Sequence, residues 1–131
     1  MDNRAIADEW FAFAECDLKS ARFLQDMNPQ PLEIICYHCQ QSAEKYLKGY
    51  IALNGGRLIK THDLTLLNRI CKKYDSDFKE IEDDAIELVD YGVQARYPFT
   101  MEIEVHDMRK AAESAERIRD FVERKSKKVR T

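Results

Sequence analysis

The chain has 131 residues, of which 44% are hydrophobic and 34% charged, and its formal net charge is -3 at pH 7. We expect residues 1–131 to form a single domain with a core of its own and a basic tail from about residue 124. The acidic balance excludes binding of nucleic acid through overall positive charge. No apolar run reaches the ~20 residues of a membrane span, and no signal-peptide pattern occurs at the N-terminus. We therefore expect a cytoplasmic location and reduced cysteines.

The first element is a helix that Asp2 or Asn3 caps and that runs to about residue 27. Its apolar positions recur at steps of three and four, the spacing of one buried face. They are Ile6, Trp10, Phe13, Ala14, Ala21 and Leu24. Asp17 falls within this stripe, where a carboxylate is costly unless it is paired. We predict that a cation inside the fold, Lys48 or Arg96, is its partner.

A longer helix is predicted over residues 32–54, between a proline-rich turn and the stop signal Gly55-Gly56. It has an apolar face, made of Leu32, Ile35, Cys36, Cys39, Ala43, Tyr46, Leu47 and Tyr50, and a second, mixed face. The mixed face comprises Ile34, Tyr37, His38, Gln41, Lys45 and Lys48. A surface helix buries only one face, so this helix is expected at the centre of the fold or at an interface. Polar groups such as Gln41 then need hydrogen-bond partners.

Three further helices are predicted in the second half of the chain. Thr61 or Asp63 caps a short helix to about residue 73, Asp77 opens one to about residue 90, and Thr100 caps a last helix to about residue 125. The basic run at 124–130 is interpreted as the end of that helix followed by a frayed tail. No segment alternates as a strand does. The predicted fold class is therefore all-α, an up-and-down bundle of four main helices plus a short one.

Cys36 and Cys39, with His38 between them, have the spacing of half a metal site. A structural zinc site needs four converging ligands, and the other cysteines, Cys16 and Cys71, stand alone. Since Cys36 and Cys39 lie on the apolar face of the long helix, we interpret them as small core residues. Neither a metal nor a cofactor is predicted.

Two short patterns could act on a phosphate group. Arg57 and His62 place a cation and a potential acid–base group close together in the chain, although His62 could instead hydrogen-bond at the start of a helix. In Arg96-Tyr97-Pro98, the guanidinium offers a fork for phosphate and Tyr97 offers a ring and a hydroxyl. The alternative is that Arg96 pairs with a buried carboxylate such as Asp17.

Lys45 and Lys48 lie one turn apart on the long helix, and they either face an anion together or are ordinary solvated lysines. In a bundle, the end of the long helix, the connection after it and the segment at 96–98 can meet. We therefore predict one site for a nucleotide or a phosphate-rich RNA end, made of Lys45, Lys48, His62, Arg96 and Tyr97. Asp17 and Gln41 are predicted to be structural polar residues.

Four motifs follow one another along the chain. Trp10 comes with Ala14-x2-Asp17-Leu18-x2-Ala21, and then come C-Q-Q-S-A-E-K-Y-L-K at 39–48, K-T-H-D-L at 60–64 and R-Y-P at 96–98. In this order they resemble the HEPN family (higher eukaryotes and prokaryotes nucleotide-binding domain). The resemblance implies a helical bundle, usually a homodimer. It also implies a small nucleotidyltransferase as a partner in a toxin–antitoxin-like pair.

Some branches of that family are metal-independent ribonucleases with an R-x4-6-H motif near the start of the last long helix. Here His106 follows Arg96 after nine intervening residues, whereas Arg57-x4-His62 has the spacing in another connection. We therefore expect a nucleotide-binding module that is not an enzyme. The alternatives are a ribonuclease toxin that uses Arg96 and His62, and a non-catalytic structural interaction module.

Overall fold

The computed structural model describes residues 2–94 and 102–130. The helices in these ranges are α1 (Asn3–Leu24), α2 (Leu32–Leu53), α3 (Leu64–Tyr74), a 3-10 helix (Ser76–Ile81), α4 (Glu82–Leu88), the single turn α5 (Tyr91–Gln94) and α6 (Val105–Ser126). No strand occurs in either range, and none of these helices is both long and apolar enough to cross a membrane. The prediction of an all-α helical bundle is confirmed.

Helix α2 lies at the centre of the bundle, as its two-faced pattern indicated, and it contacts α1, α3, α4, α5 and α6. Its apolar face is buried, and so are Gln40, Glu44 and Lys48, which lie one turn apart along the helix. A helix that is covered on several sides must satisfy such polar groups internally. These polar side chains of α2 therefore take part in clusters of hydrogen bonds and ion pairs.

Helix α1 packs along α2 through small residues. Asp2 caps it by accepting a hydrogen bond from the Ala5 amide at 2.7 Å, and the helix ends at Leu24, one turn before the predicted end. Phe13 was expected in the core but is exposed. The ring of Phe11 packs instead against α2, where it stacks on Tyr46 with centroids 5.9 Å apart. Gly49 makes room for it, because a Cβ there would come within 2.5 Å of the Phe11 ring.

Glu15 links α1 to α2 and α6. Its Oε2 atom accepts a hydrogen bond from the Tyr46 hydroxyl at 2.6 Å and one from Arg119 Nε at 2.9 Å. Burial alone would raise the pKa of the Glu15 carboxyl, but these hydrogen bonds and the charges of Arg119 and Arg22 lower it below its ordinary value. Glu15 therefore stabilises the bundle in its ionised form.

The helix starts in the second half were predicted with mixed success. Asp63 caps α3, as expected, by accepting from the Thr65 and Leu66 amides at 3.0 and 3.3 Å. The next cap is Asp75 rather than Asp77, because Asp75 is the extended residue whose carboxylate accepts from the amide of Asp77 at 2.9 Å.

The last helix begins later than predicted. Thr100 lies outside the described residues, and the cap of α6 is Glu104. The Asp107 carboxylate accepts a hydrogen bond from the Glu104 amide at 2.9 Å, while the Glu104 side chain accepts from the Asp107 amide in return. This reciprocal pair was not predicted because Glu and Asp are unusual in these two positions.

Part of the basic C-terminal run is held against the bundle. Lys125 is buried and pairs with Asp75 at 3.0 Å and with Asp77 at 2.5 Å. Arg4 of α1 donates to the Ser126 carbonyl at 2.9 Å and to the Val129 carbonyl at 3.3 Å. These contacts join the two ends of the chain.

Candidate anion site

The Glu44 cluster consists of Glu44, Lys48, His62 and Gln40. The Glu44 side chain is only 5% exposed and accepts from Lys48 Nζ at 3.0 Å, His62 Nδ1 at 2.8 Å and Gln40 Nε2 at 3.2 Å. The cluster thus holds a lysine of α2 and a histidine of the following connection on one buried carboxylate. Lys48 and His62, which the sequence placed in one site, do lie together.

Gln40 extends the cluster in two directions. Its Nε2 atom also donates to the His62 carbonyl at 3.2 Å, and its Oε1 atom accepts from Gln41 Nε2 at 2.7 Å. The side-chain amide is pressed against Gly92, where a Cβ would come within 2.6 Å of the Gln40 Cδ atom. Gln40 therefore fixes the backbone of the 54–63 connection and the approach of α5 at once.

Asp17 belongs to a second cluster, the Asp17 cluster, with Lys45 and His38. Its carboxylate accepts from His38 Nδ1 at 2.9 Å and from Lys45 Nζ, and its side chain is 13% exposed. The predicted partners were Lys48 or Arg96. Lys48 is not the partner, because it lies beside Trp10, two turns before Asp17 on α1, with Nζ 5.8 Å from the ring centroid.

Lys45 and Lys48 therefore do not face one anion together, since each is bound to a different carboxylate. Gln41 donates a hydrogen bond to the neighbouring Gln40 side chain within α2, and its structural role stays a prediction. Arg96 and Tyr97 lie outside the described residues, and their part in the site stays a prediction.

Among the described residues, the His62 ring is hydrogen-bonded at Nδ1. A carboxylate can only accept hydrogen bonds, so Nδ1 carries the proton that points to Glu44. The side chain is 55% exposed, and Nε2 is the ring nitrogen that does not bond to Glu44. A histidine oriented by a carboxylate in this way can accept a proton or hydrogen-bond a phosphate oxygen.

A model of the HEPN domain family matches residues 7–125. The chain belongs to the HEPN domain family. Among solved structures, TT1696 from Thermus thermophilus is similar to this HEPN-domain chain, with 25% identity, a TM-score of 0.70 and coverage of 91% of this chain and 97% of TT1696. ST0689, described as an archaeal HEPN homologue, is 24% identical, with a TM-score of 0.69 and coverage of 92% and 97%. None of the curated proteins matches the chain.

The cysteine pair of this HEPN domain lies in the core. Cys36 and Cys39 are buried free thiols, and burial raises the pKa of each to about 12. Zinc requires thiolates, which this environment disfavours. Within the two described ranges, no three His, Cys, Asp or Glu side chains converge as metal ligands do.

Sequence reasoning missed a groove that runs beside Lys48 in this HEPN domain. It has a volume of about 240 Å³ and lies between the start of α1, the end of α2 and the connection after α2. Trp10, Arg57 and Leu58 are among the residues that line it. The sequence did contain one indication of this groove. The connection after α2 carries the apolar pair Leu58 and Ile59, and a surface connection does not require apolar residues.

Proposed function

We propose that this HEPN-domain chain binds a nucleotide, or the phosphate-rich end of an RNA, at the Glu44 cluster and the connection that follows α2. The observation that carries the proposal is the contact of Glu44 with both Lys48 and His62. Glu44 offsets one positive charge, and the exposed Arg57 and Lys60 of the same connection add two more. A partly exposed imidazole among cations is a suitable environment for a phosphate group.

The proposed roles follow from exposure and pairing. His62 hydrogen-bonds a phosphate oxygen through Nε2. Lys48 contributes positive charge from the buried side of the Glu44 cluster. Arg96 grips the phosphate with its guanidinium fork and Tyr97 stacks or hydrogen-bonds, as the chemistry of these two side chains indicates. Lys45 is left out of the site because the Asp17 cluster holds it elsewhere.

Calorimetry with ATP, AMP and a 5′-phosphorylated RNA oligomer tests this proposal. We expect binding that weakens as salt rises, and a loss of about tenfold or more in His62→Ala and Arg96→Ala, which corresponds to about 1.4 kcal/mol or more. Lys72→Gln is the matched control, because Lys72 is a surface lysine on α3 that pairs with Glu82. Binding as tight in both site variants as in the wild type would refute the proposal.

We further propose that the chain is a cytoplasmic homodimer and that it pairs with a small nucleotidyltransferase in a toxin–antitoxin-like system. Family membership supports this assembly, and so do the exposed apolar side chains Phe13, Phe23, Met27 and Ile34, which a partner could cover. Sedimentation at micromolar concentration should give twice the chain mass of 15.4 kDa. A strict monomer would contradict the dimer, and failure to co-purify with a co-expressed nucleotidyltransferase encoded beside it would contradict the pairing.

A ribonuclease is the second candidate function, favoured by the contact between His62 and Glu44 alone. This arrangement orients Nε2 as a general base that needs no metal. RNA degradation in the presence of a chelator, lost in His62→Ala and kept in Lys72→Gln, is the expected result for this candidate. Intact RNA after prolonged incubation with the wild type would exclude it.

A further inference from the structure

We infer that the groove beside Lys48 binds one planar aromatic group that carries an anionic substituent, with the ring against Trp10 and the anion at Arg57 and Lys48. The inference deepens the proposed function and rests on it in one respect. A nucleotide bound at the Glu44 cluster would place its base in this groove, because Lys48 belongs to both.

The size and the walls of the groove suit a single ring system. Its volume of about 240 Å³ is below the ~300–1,000 Å³ of pockets that enclose drug-sized ligands. Ile6, Trp10, Ile51 and Leu58 line it. Leu58 is 62% exposed, and a bound ring would cover part of that surface.

The turn after α2 builds the outer wall. Gly55 has φ of +79°, a left-handed conformation that other residues rarely adopt. Gly56 is packed so closely that a Cβ would come within 2.6 Å of the Ile51 side chain and of the Tyr74 hydroxyl. The two glycines therefore let the chain fold back onto α2, which brings Arg57 and Leu58 to the groove.

The charge of the groove selects an anion. Among the described residues that line it, the ionisable side chains are Lys48 and Arg57, and both are cationic. Glu44 offsets the charge of Lys48, so the exposed Arg57 gives this surface its net positive charge on a chain whose net charge is -3. Lys48 Nζ lies 5.8 Å from the Trp10 ring centroid, so a ring stacked near Trp10 has a cation beside it.

Trp10 provides the test, because it is the single tryptophan of the chain and its emission reports on this groove. We expect AMP to change the emission in a saturable way, adenosine to bind at least tenfold more weakly, and inorganic phosphate alone to leave the emission unchanged. Benzoate against benzyl alcohol is a second pair of probes that does not depend on a nucleotide. The acid should change the emission, and the alcohol should do so only at much higher concentration.

Variants locate the anion. Arg57→Gln should weaken AMP and benzoate about tenfold without changing adenosine, whereas Arg69→Gln, an exposed arginine on α3, should bind all probes as the wild type does. If calorimetry detects AMP while the Trp10 emission and the Arg57 variant show no effect, the groove inference is wrong and the proposed function stands. If benzoate binds in the groove and no nucleotide or RNA end binds to the protein, the groove stands and the proposed function is wrong. Binding of none of the probes would overturn both.

Discussion

Removal of the Glu44 carboxylate should destabilise the fold more than removal of any surface charge. Glu44→Ala leaves the Lys48 ammonium, whose side chain is 9% exposed, without its counter-charge. It also takes an acceptor from the Gln40 amide and from His62. A buried cation without a partner costs free energy, and so does the loss of one of the two acceptors of the buried Gln40 amide.

The magnitude follows from the burial of the pair. Breaking a buried ion pair by deleting one partner costs about 3–5 kcal/mol. This is a large share of the ~5–15 kcal/mol by which a domain is stable. For a chain of this length it corresponds to a fall in Tm of roughly 10–20 °C.

Urea unfolding followed by circular dichroism measures the effect. Glu116→Ala is the matched control, because Glu116 pairs with Arg22 at the surface and its loss should cost under ~1 kcal/mol. The double variant Glu44→Leu with Lys48→Met should recover most of the loss, since an apolar pair of similar volume replaces the ion pair. If Glu44→Ala loses less than ~1 kcal/mol, Lys48 reaches water through the groove and the reasoning is refuted.

Three smaller predictions concern other parts of the bundle. Asp17→Ala should cost about 2 kcal/mol in urea unfolding, because its cluster is more exposed, and wild-type stability would show that the cluster contributes nothing. Of the four thiols, only Cys16 is exposed. One thiol should therefore react with Ellman's reagent in the folded protein and four should react in urea. Rapid reaction of Cys36 or Cys39 in the folded protein would contradict their burial. The lowered pKa of Glu15 stabilises the fold at pH values above its unfolded pKa of about 4.3, and this contribution disappears as pH falls through the folded pKa. Glu15→Gln should therefore show a shallower loss of stability in acid, and an unchanged acid profile would contradict this assignment.

The helices were predictable where local rules decide them. The steps of three and four in residues 32–54 and the glycine stop at Gly55 fix α2 within one residue of its observed end. The hydrogen-bond acceptor at the start of α3, Asp63, is the residue type that local geometry demands. Asp77 was misassigned because two aspartates lie two residues apart and both pair with Lys125, so only the backbone conformation shows that Asp75 is the cap.

The clusters were predictable only in part, because which side chains pair between two helices depends on how far one helix is shifted along the other. The sequence showed that Asp17 needs a cation and led to Lys48, whereas the observed partner is Lys45, about one turn earlier on α2. The packing of Trp10 beside Lys48 fixes the position of α1 along α2, and at this position Asp17 meets Lys45. No local pattern carries this information. The groove was missed for the same reason, since its walls come from three separate segments.

The central position of α2 determines which positions of this sequence can accept substitutions. Most of its side chains are packed on two sides, whereas α1 keeps only Ala7, Ala14, Leu18 and Ala21 buried among its 22 residues. Replacements on the outer surface of α1 change little but solubility, while nearly every replacement in α2 disturbs a neighbour in another helix. Over long divergence, substitutions should therefore accumulate on α1 and leave α2 as the segment by which distant copies of this bundle remain recognisable.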